Sequence, residues 1–316
     1  MVNTSEKSGR TSWTVSPKHF TWLAIACAVA YGLIIVSGGA VRLTGSGLGC
    51  PNWPACYDHH ILPQASIHPL VEFGNRMVTG FISIVTIVTI IAAYRRSERR
   101  QDLIWLSWAL LGGIVVESVW GAVVVYTKLN PYTVVIHFLV APIFLWLSIL
   151  LVYRSRRDVS APGTLLVPRP LQLAARVQTG LAALVVAAGT AVSNAGPHAG
   201  NFSGQQVAHR LPFELRSVVE VHAGIATVLI GFVSALVFAV LTIEAPPTIR
   251  RITERLVLVV VLQGMLGVLQ YATHLPTGLV ELHIALSVMV MIGVIRFQLS
   301  LVERPMLPHA KISVAT

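Results

Sequence analysis

Charge is scarce in this sequence: 11% of its 316 residues are Asp, Glu, Lys or Arg, against about 25% in an average soluble protein. With 54% apolar residues, the chain is neither a disordered tail nor an ordinary water-facing globule. Cysteine is scarce too. Cys27, Cys50 and Cys56 are too few for a disulfide-dense scaffold or a zinc framework. Acidic residues are outnumbered, 13 against 23 basic, for a formal charge of +10. Such a surplus can signal nucleic acid, but here the basic residues adjoin apolar runs and leave little soluble surface for a nucleic-acid face. The reading is a membrane protein with no nucleic-acid partner.

What is abundant is the apolar run long enough to cross a bilayer, about 20 residues. Eight are expected: Trp22 to Val41, Val71 to Tyr94, Leu103 to Tyr126, Thr133 to Tyr153, Leu171 to Val192, Ser217 to Ile243, Leu256 to Ala272 and Leu279 to Val302. Ala28-Val29-Ala30 mimics a signal-peptidase site, but the run continues unbroken to Val41, which predicts a retained first helix. With the N-terminus inside, sixteen basic residues fall on inner segments: Lys7, Arg10, Lys18, Arg95, Arg96, Arg99, Arg100, Arg154, Arg156, Arg157, Arg169, Arg250, Arg251, Arg255, Arg304 and Lys311. Only Lys128, Arg210 and Arg216 fall outside. That bias predicts both termini inside.

The outer loops alternate long and short, at residues 44–70, 127–132, 193–216 and 273–278. At an offset of 146 Gly121 matches Gly267, Thr127 matches Thr273, Leu129 matches Leu275 and His137 matches His283. Four spans return the chain to its starting side, so the two copies share one orientation. The expected fold is therefore all-α and integral to the membrane, with eight transmembrane helices in two tandem pseudo-symmetric four-helix bundles. Residues 1–21 form a tail, 22–153 the first half, 154–170 a basic linker, 171–302 the second half and 303–316 a second tail.

Polar groups inside spans are functional candidates, because leaving one unpaired in hydrocarbon costs roughly 2.5 kcal/mol or more. His137, His222 and His283 each lie about one turn into an even-numbered helix, and Asn75 holds the matching place in the second. Four equivalent positions at one depth suit a planar group held between helices two and four and another between six and eight. Haem iron accepts an imidazole from either side, and bundle cores hold such cofactors. One histidine in an apolar helix is more often a hydrogen-bonded core residue; three at repeat-related positions favour ligation, above all for His222 and His283. Glu220 and Glu281 precede them by two residues, about 200° round the helix, and read as interface solvation. Glu72, Asn75 and Arg76 share a face. They form either an outward ion pair or a carboxylate over the first site that moves protons or positions water, with Arg76 available to a haem propionate. Glu117, matched to Gln263, reads as a packing or polar-bridge residue.

Cys50 and Cys56 flank Pro-Asn-Trp-Pro-Ala in the first long outer loop, on the oxidising side, which suits a disulfide. Cys27 reads as a small buried residue. His59, His60, His68, His198, His209 and His274 read as solvated loop residues, and His19 and His309 belong to the tails.

Taken together, the sequence resembles the haem A synthase family over nearly its whole length. The resemblance rests on Gly38-Gly39-Ala40-Val41-Arg42-Leu43-Thr44-Gly45-Ser46-Gly47-Leu48 running into Cys50-Pro51-Asn52-Trp53-Pro54-Ala55-Cys56, on Glu72 to Arg76, and on His137, His222 and His283. It implies oxidation of the C8 methyl of haem O to the formyl group of haem A, by successive hydroxylation and loss of water from the geminal diol. It also implies a b-type haem on His222 and His283, substrate haem O in the first half, Glu72 as the catalytic glutamate, and a Cys50–Cys56 disulfide. A haem O synthase and a membrane electron acceptor are the implied partners, a homo-oligomer is left open, and a bacterial plasma membrane with haem sites toward its outer face is the implied setting.

One departure stands out: the family pattern has a histidine where this chain has Asn75. An amide is a poor iron ligand, so the substrate would be held from one side by His137. Either that open side is compatible with catalysis in a subgroup, or the chain no longer acts as a synthase; the survival of Glu72, Arg76, His137 and both loop cysteines favours the first. The alternative is a b-type cytochrome without haem-modifying activity, which needs two tightly held haems. A transporter using Glu72 and Glu117 is a third class, and it gives no account of His222 and His283 at matching depth.

Overall fold

A computed structural model describes residues 13–58, 60–200 and 208–307. His59, His309, Lys7, Arg10 and Lys311 lie outside the described residues. Among the described residues the chain forms eight α-helices: α1 Pro17–Leu43, α2 Ile67–Arg95, α3 Gln101–Tyr126, α4 Pro131–Ser155, α5 Arg169–Ala195, α6 Leu215–Thr242, α7 Pro247–Ala272 and α8 Thr277–Ser300. At 1.5 Å per residue these are roughly 36 to 44 Å long, enough to cross a hydrocarbon core of about 30 Å. All eight are apolar enough to do so. Large apolar side chains such as Ile84, Trp105, Phe238 and Val268 remain exposed on them, a cost in water that disappears in lipid. This is a multi-pass membrane protein.

Helix starts follow local chemistry. Ser16 accepts from the His19 backbone N–H at α1, and Asn130 accepts from Tyr132 N–H ahead of Pro131 at α4; both are N-cap arrangements. α7 begins at Pro247, nine residues before the apolar run, because Pro fits the first turn and an Arg250–Glu254 pair four residues apart supports the charged turns that follow. α8 ends at Ser300, short of Val302. The chain there turns into a two-residue strand, β2 (Val302–Glu303), antiparallel to β1 (Thr164–Leu165) within the basic linker. Arg304 caps the linker by donating to the carbonyls of Val159 and Ala161.

α1, α2, α3 and α4 pack in a closed ring of neighbours, as do α5, α6, α7 and α8; α1 and α4 meet α8 and α5 across the seam. Phe20, Leu103, Leu110, Leu145 and Leu151 fill the first core. Leu171, Val233, Leu236, Ile249 and Phe297 fill the second. One turn occurs twice. Lys128 and Leu129 adopt left-handed backbone after α3, and His274 and Leu275 do so after α7, each pair 146 residues from its counterpart. Thr127 and Thr273 each donate their hydroxyl to the carbonyl four residues back.

The loops after α1, α3, α5 and α7 gather at one end. Gly47 N–H donates to the Gly200 carbonyl, Tyr126 OH to the Trp53 carbonyl, and His198 Nε2 lies 2.9 Å from the Leu275 carbonyl. This loop face lies opposite the arginine-rich face, where Arg100 donates to the Arg157 carbonyl and Arg157 to that of Arg304.

Candidate functional site

The loop joining α1 to α2 is built around a Cys50–Cys56 disulfide, as expected. Its backbone passes so close to the start of α2 that a β-carbon on Gly49 would collide with the His68 backbone. His68 is therefore not a loop residue; it sits in the first turn of α2, with Nδ1 3.1 Å from the Ser46 hydroxyl. Tyr57 donates its phenol to the Gly49 carbonyl at 2.7 Å. Burial, and then the nearby Glu72 carboxylate, push that phenol above its usual range.

Glu72 does not point outward. It is 6% exposed, accepts from Cys50 N–H at 2.7 Å through Oε2, and from Arg76 at 2.6 Å through Oε1. The other donors of Arg76 go to the carbonyls of Cys50, Pro54 and Ala55. Arg76 is thus a clamp on the disulfide loop rather than a free cation. Beside this pair opens a cavity of about 420 Å³, which Glu72, Asn75, Arg76, Glu117 and His137 all line. Asn75 Oδ1 accepts from Ser37 Oγ at 2.7 Å. Across the cavity, Glu117 Oε2 stands 2.6 Å from Nδ1 of His137, a close contact without the alignment of a ring N–H hydrogen bond.

Glu117 was not expected to touch a histidine. The offset that matches it to Gln263 carried the signal, because Gln263 donates to the backbone carbonyl of His283 at 3.0 Å. In both halves a polar residue of the third helix reaches the histidine of the fourth.

The second pair meets in the other ring of helices. His222 and His283 face each other with ring centroids 6.4 Å apart and planes 74° from parallel. Two imidazole–metal bonds of about 2 Å each, plus the half-widths of the rings, account for that separation, so the pair fits a single iron ligated from both sides. His222 Nδ1 is 3.1 Å from the Val185 carbonyl, which puts the proton on Nδ1 and leaves the Nε2 lone pair for a ligand. Neighbouring helices leave room for the rings: a β-carbon on Gly189 would stand 3.0 Å from Cε1 of His222, and one on Gly267 3.3 Å from Cε1 of His283. His283 Nδ1 is buried without a hydrogen-bond partner among the described residues. The donor set fits haem iron, and no group of three or more His, Cys, Asp or Glu suited to a metal ion occurs among the described residues.

Glu220 is exposed and paired with Arg216, which matches interface solvation. Glu281 departs from it: Oε2 is buried without a partner, against Gly39 of α1, because α8 packs there against α1 across the seam. Cys27 is buried, with Sγ 3.2 Å from the Thr89 hydroxyl. His60, His209 and His274 are exposed and join neither site.

The model of the COX15-CtaA family, cytochrome oxidase assembly proteins, matches residues 20–68 and 64–295. The chain belongs to this family. Among similar proteins, the heme A synthase of Geobacillus thermodenitrificans is 36% identical over 130 residues, 40% of either chain. That of Staphylococcus saprophyticus is 27% identical over 175 residues, 54% of this chain and 56% of the relative. These matches span about half or less of the relatives' length. That of Staphylococcus haemolyticus is 23% identical over 299 residues, 91% of this chain and 96% of the relative. Both histidine-bearing sites lie within the stretch matched by the COX15-CtaA model.

Proposed function

We propose that the protein is a haem A synthase, a membrane oxidoreductase that converts the C8 methyl of haem O to the formyl group of haem A through hydroxylated intermediates. One observation carries the reading: Glu72, Arg76, Glu117 and His137 share one cavity, beside a second ring of helices in which two histidines face each other at single-iron distance. The family match and the heme A synthase relatives point the same way.

In this reading residues 22–153 receive the substrate and residues 171–302 would hold the cofactor, a b-type haem, through His222 and His283. That haem, when bound, supplies one-electron redox chemistry. His137 holds the substrate iron from one side, and Glu117 fixes its ring. Glu72, fixed by Cys50 N–H and Arg76, moves protons or positions water at the reacting carbon. Arg76 holds the carboxylate in place and ties the disulfide loop to α2 beside the cavity. The basic bias supports a plasma membrane of bacterial type with the loop face outward, where a disulfide persists. A haem O synthase delivers substrate and a membrane carrier takes the electrons; homo-oligomers are compatible with the fold.

The test is co-expression with a haem O synthase in a host lacking haem A, followed by haem extraction and mass analysis. Haem A or its hydroxylated intermediate is the expected product. Folded, haem-loaded protein with only haem B and unreacted haem O would replace this reading with the electron-transfer cytochrome.

A further inference from the structure

Arg42 lies in the last turn of α1 at the loop face, and it is 7% exposed yet lines the substrate cavity. Among the described residues its guanidinium makes one hydrogen bond, from an Nη to the Ser193 carbonyl at 3.0 Å, and Nε is buried without a partner. No carboxylate pairs with it among the described residues: of the two acids in the same cavity, Glu72 is paired with Arg76 and Glu117 stands against the ring of His137. Residues 201–207, which are not described, contain no acidic residue. An arginine cannot shed its charge in a protein, and a buried charge without a counter-charge is strongly unfavourable. The cavity is thus built with a cation that lacks its anion.

We infer that Arg42 is the carboxylate-binding residue of the substrate site, taking a propionate of haem O. The inference rests on the proposed function for the identity of the ligand. The residue available on sequence grounds was Arg76, but both its Nη atoms are engaged, by Glu72 and three loop carbonyls. Arg42 retains free donors in a planar fork suited to a carboxylate. The polarity of the cavity agrees. Arg42 and Glu72 stand at its loop end, while Ile82, Ile114 and Phe144, from the middles of α2, α3 and α4, line its deeper wall. A haem with its carboxylate edge at the loop end places its apolar substituents in the depth. In haem O the C8 methyl shares its pyrrole ring with one propionate, so anchoring that edge on Arg42 keeps the reacting methyl at the end of the cavity where Glu72 is held. Arg42 also spans the seam through Ser193 of α5, which ties the position of the anchor to the cofactor half.

The experiment titrates haem O and its dimethyl ester into purified protein already carrying its haem, following the Soret band, for the parent, Arg42→Gln and Arg42→Lys. The parent is expected to bind haem O at least about 30-fold more tightly than the ester, the loss typical of removing one partner of a buried charge pair. Arg42→Gln should bind both alike at the weaker level, and Arg42→Lys should recover part of the preference. Parent protein indifferent to esterification, or Arg42→Gln with parental affinity for haem O, overturns the inference. If Arg42→Gln fails to retain its resident haem, the ester comparison on parent protein decides alone. Parent protein that binds haem O with this preference but forms no haem A would reject the proposed activity and leave the carboxylate site standing.

Discussion

The two histidine-bearing sites occupy equivalent places in the two rings of helices, yet they are furnished for different work. Around His222 and His283 the imidazoles face each other, a backbone carbonyl fixes one ring, and no carboxylate pairs with either among the described residues. Around His137 the opposing place is taken by Asn75, tied to Ser37, and two carboxylates line the space between. The position of the missing imidazole is informative: Asn75 lies 147 residues before His222, and each is hydrogen-bonded to the first helix of its ring, Asn75 accepting from Ser37 of α1 and His222 donating to the Val185 carbonyl of α5. A site closed by two imidazoles suits retention of a haem; one with a single imidazole, a cavity and acids suits a haem that must enter, react and leave.

The largest effect separating the sites is expected from His283→Ala. If His283 holds the haem as proposed, its loss should exceed the roughly 10- to 100-fold cost of removing an outer partner, leaving purified protein essentially free of tightly held haem by pyridine haemochrome assay. Asn75→Ala should leave that haem in place; equal losses in both variants would erase the distinction between cofactor and substrate sites. Next is Glu72→Gln, which keeps the shape and the Cys50 contact but not the charge. Conversion of haem O should fall at least about 100-fold, the usual scale of general acid–base catalysis, with the resident haem spectrum unchanged. Parental turnover would leave Glu72 as a loop anchor only.

Glu117→Gln probes the asymmetry around the fourth helices. Because Glu117 meets the ring of His137, its loss should weaken haem O binding about 10- to 100-fold. Gln263→Ala, which removes only a contact to a backbone carbonyl, should cost no more than an ordinary hydrogen bond, about 1 kcal/mol, and keep the resident haem. A binding titration beside a haem-retention measurement reads both, and similar behaviour of the pair would reduce Glu117 to packing.

The sequence pattern revealed what depends on period and offset: eight spans, the twice-used turn at Leu129 and Leu275, and the matched places of Asn75, His137, His222 and His283. It hid what depends on which helix lies across the cavity. Glu117 meets a residue 20 positions away on another helix; the offset pairs it with Gln263, but only the packing shows that each reaches the histidine of the next helix. Arg76 is engaged by backbone carbonyls, which leave no mark in a side-chain pattern, and Arg42, just past the first apolar run, is the cavity cation without a carboxylate partner among the described residues. The early start of α7 was masked by Arg250, Arg251 and Glu254, whose helical support comes from pairing rather than hydropathy. The β1–β2 pair is too short to carry an alternation.

The smallest effect tests the comparison most directly. Asn75→His would give the first ring of helices the imidazole that the second already has, 62 residues before its partner where the natural pair is separated by 61. If the two sites differ chiefly in that ligand, haem O bound to the variant should show the bis-imidazole absorption of the resident site and bind about tenfold more tightly, or 1.4 kcal/mol. Turnover should persist, because Glu72 and its partners Cys50 and Arg76 are untouched. An unchanged spectrum would mean that Asn75 does not face the substrate iron, and that the open side of the first site lies elsewhere. A tightened complex that no longer turns over would mean that the vacancy opposite His137 is itself required, and that the two rings diverged in order to keep one coordination position free.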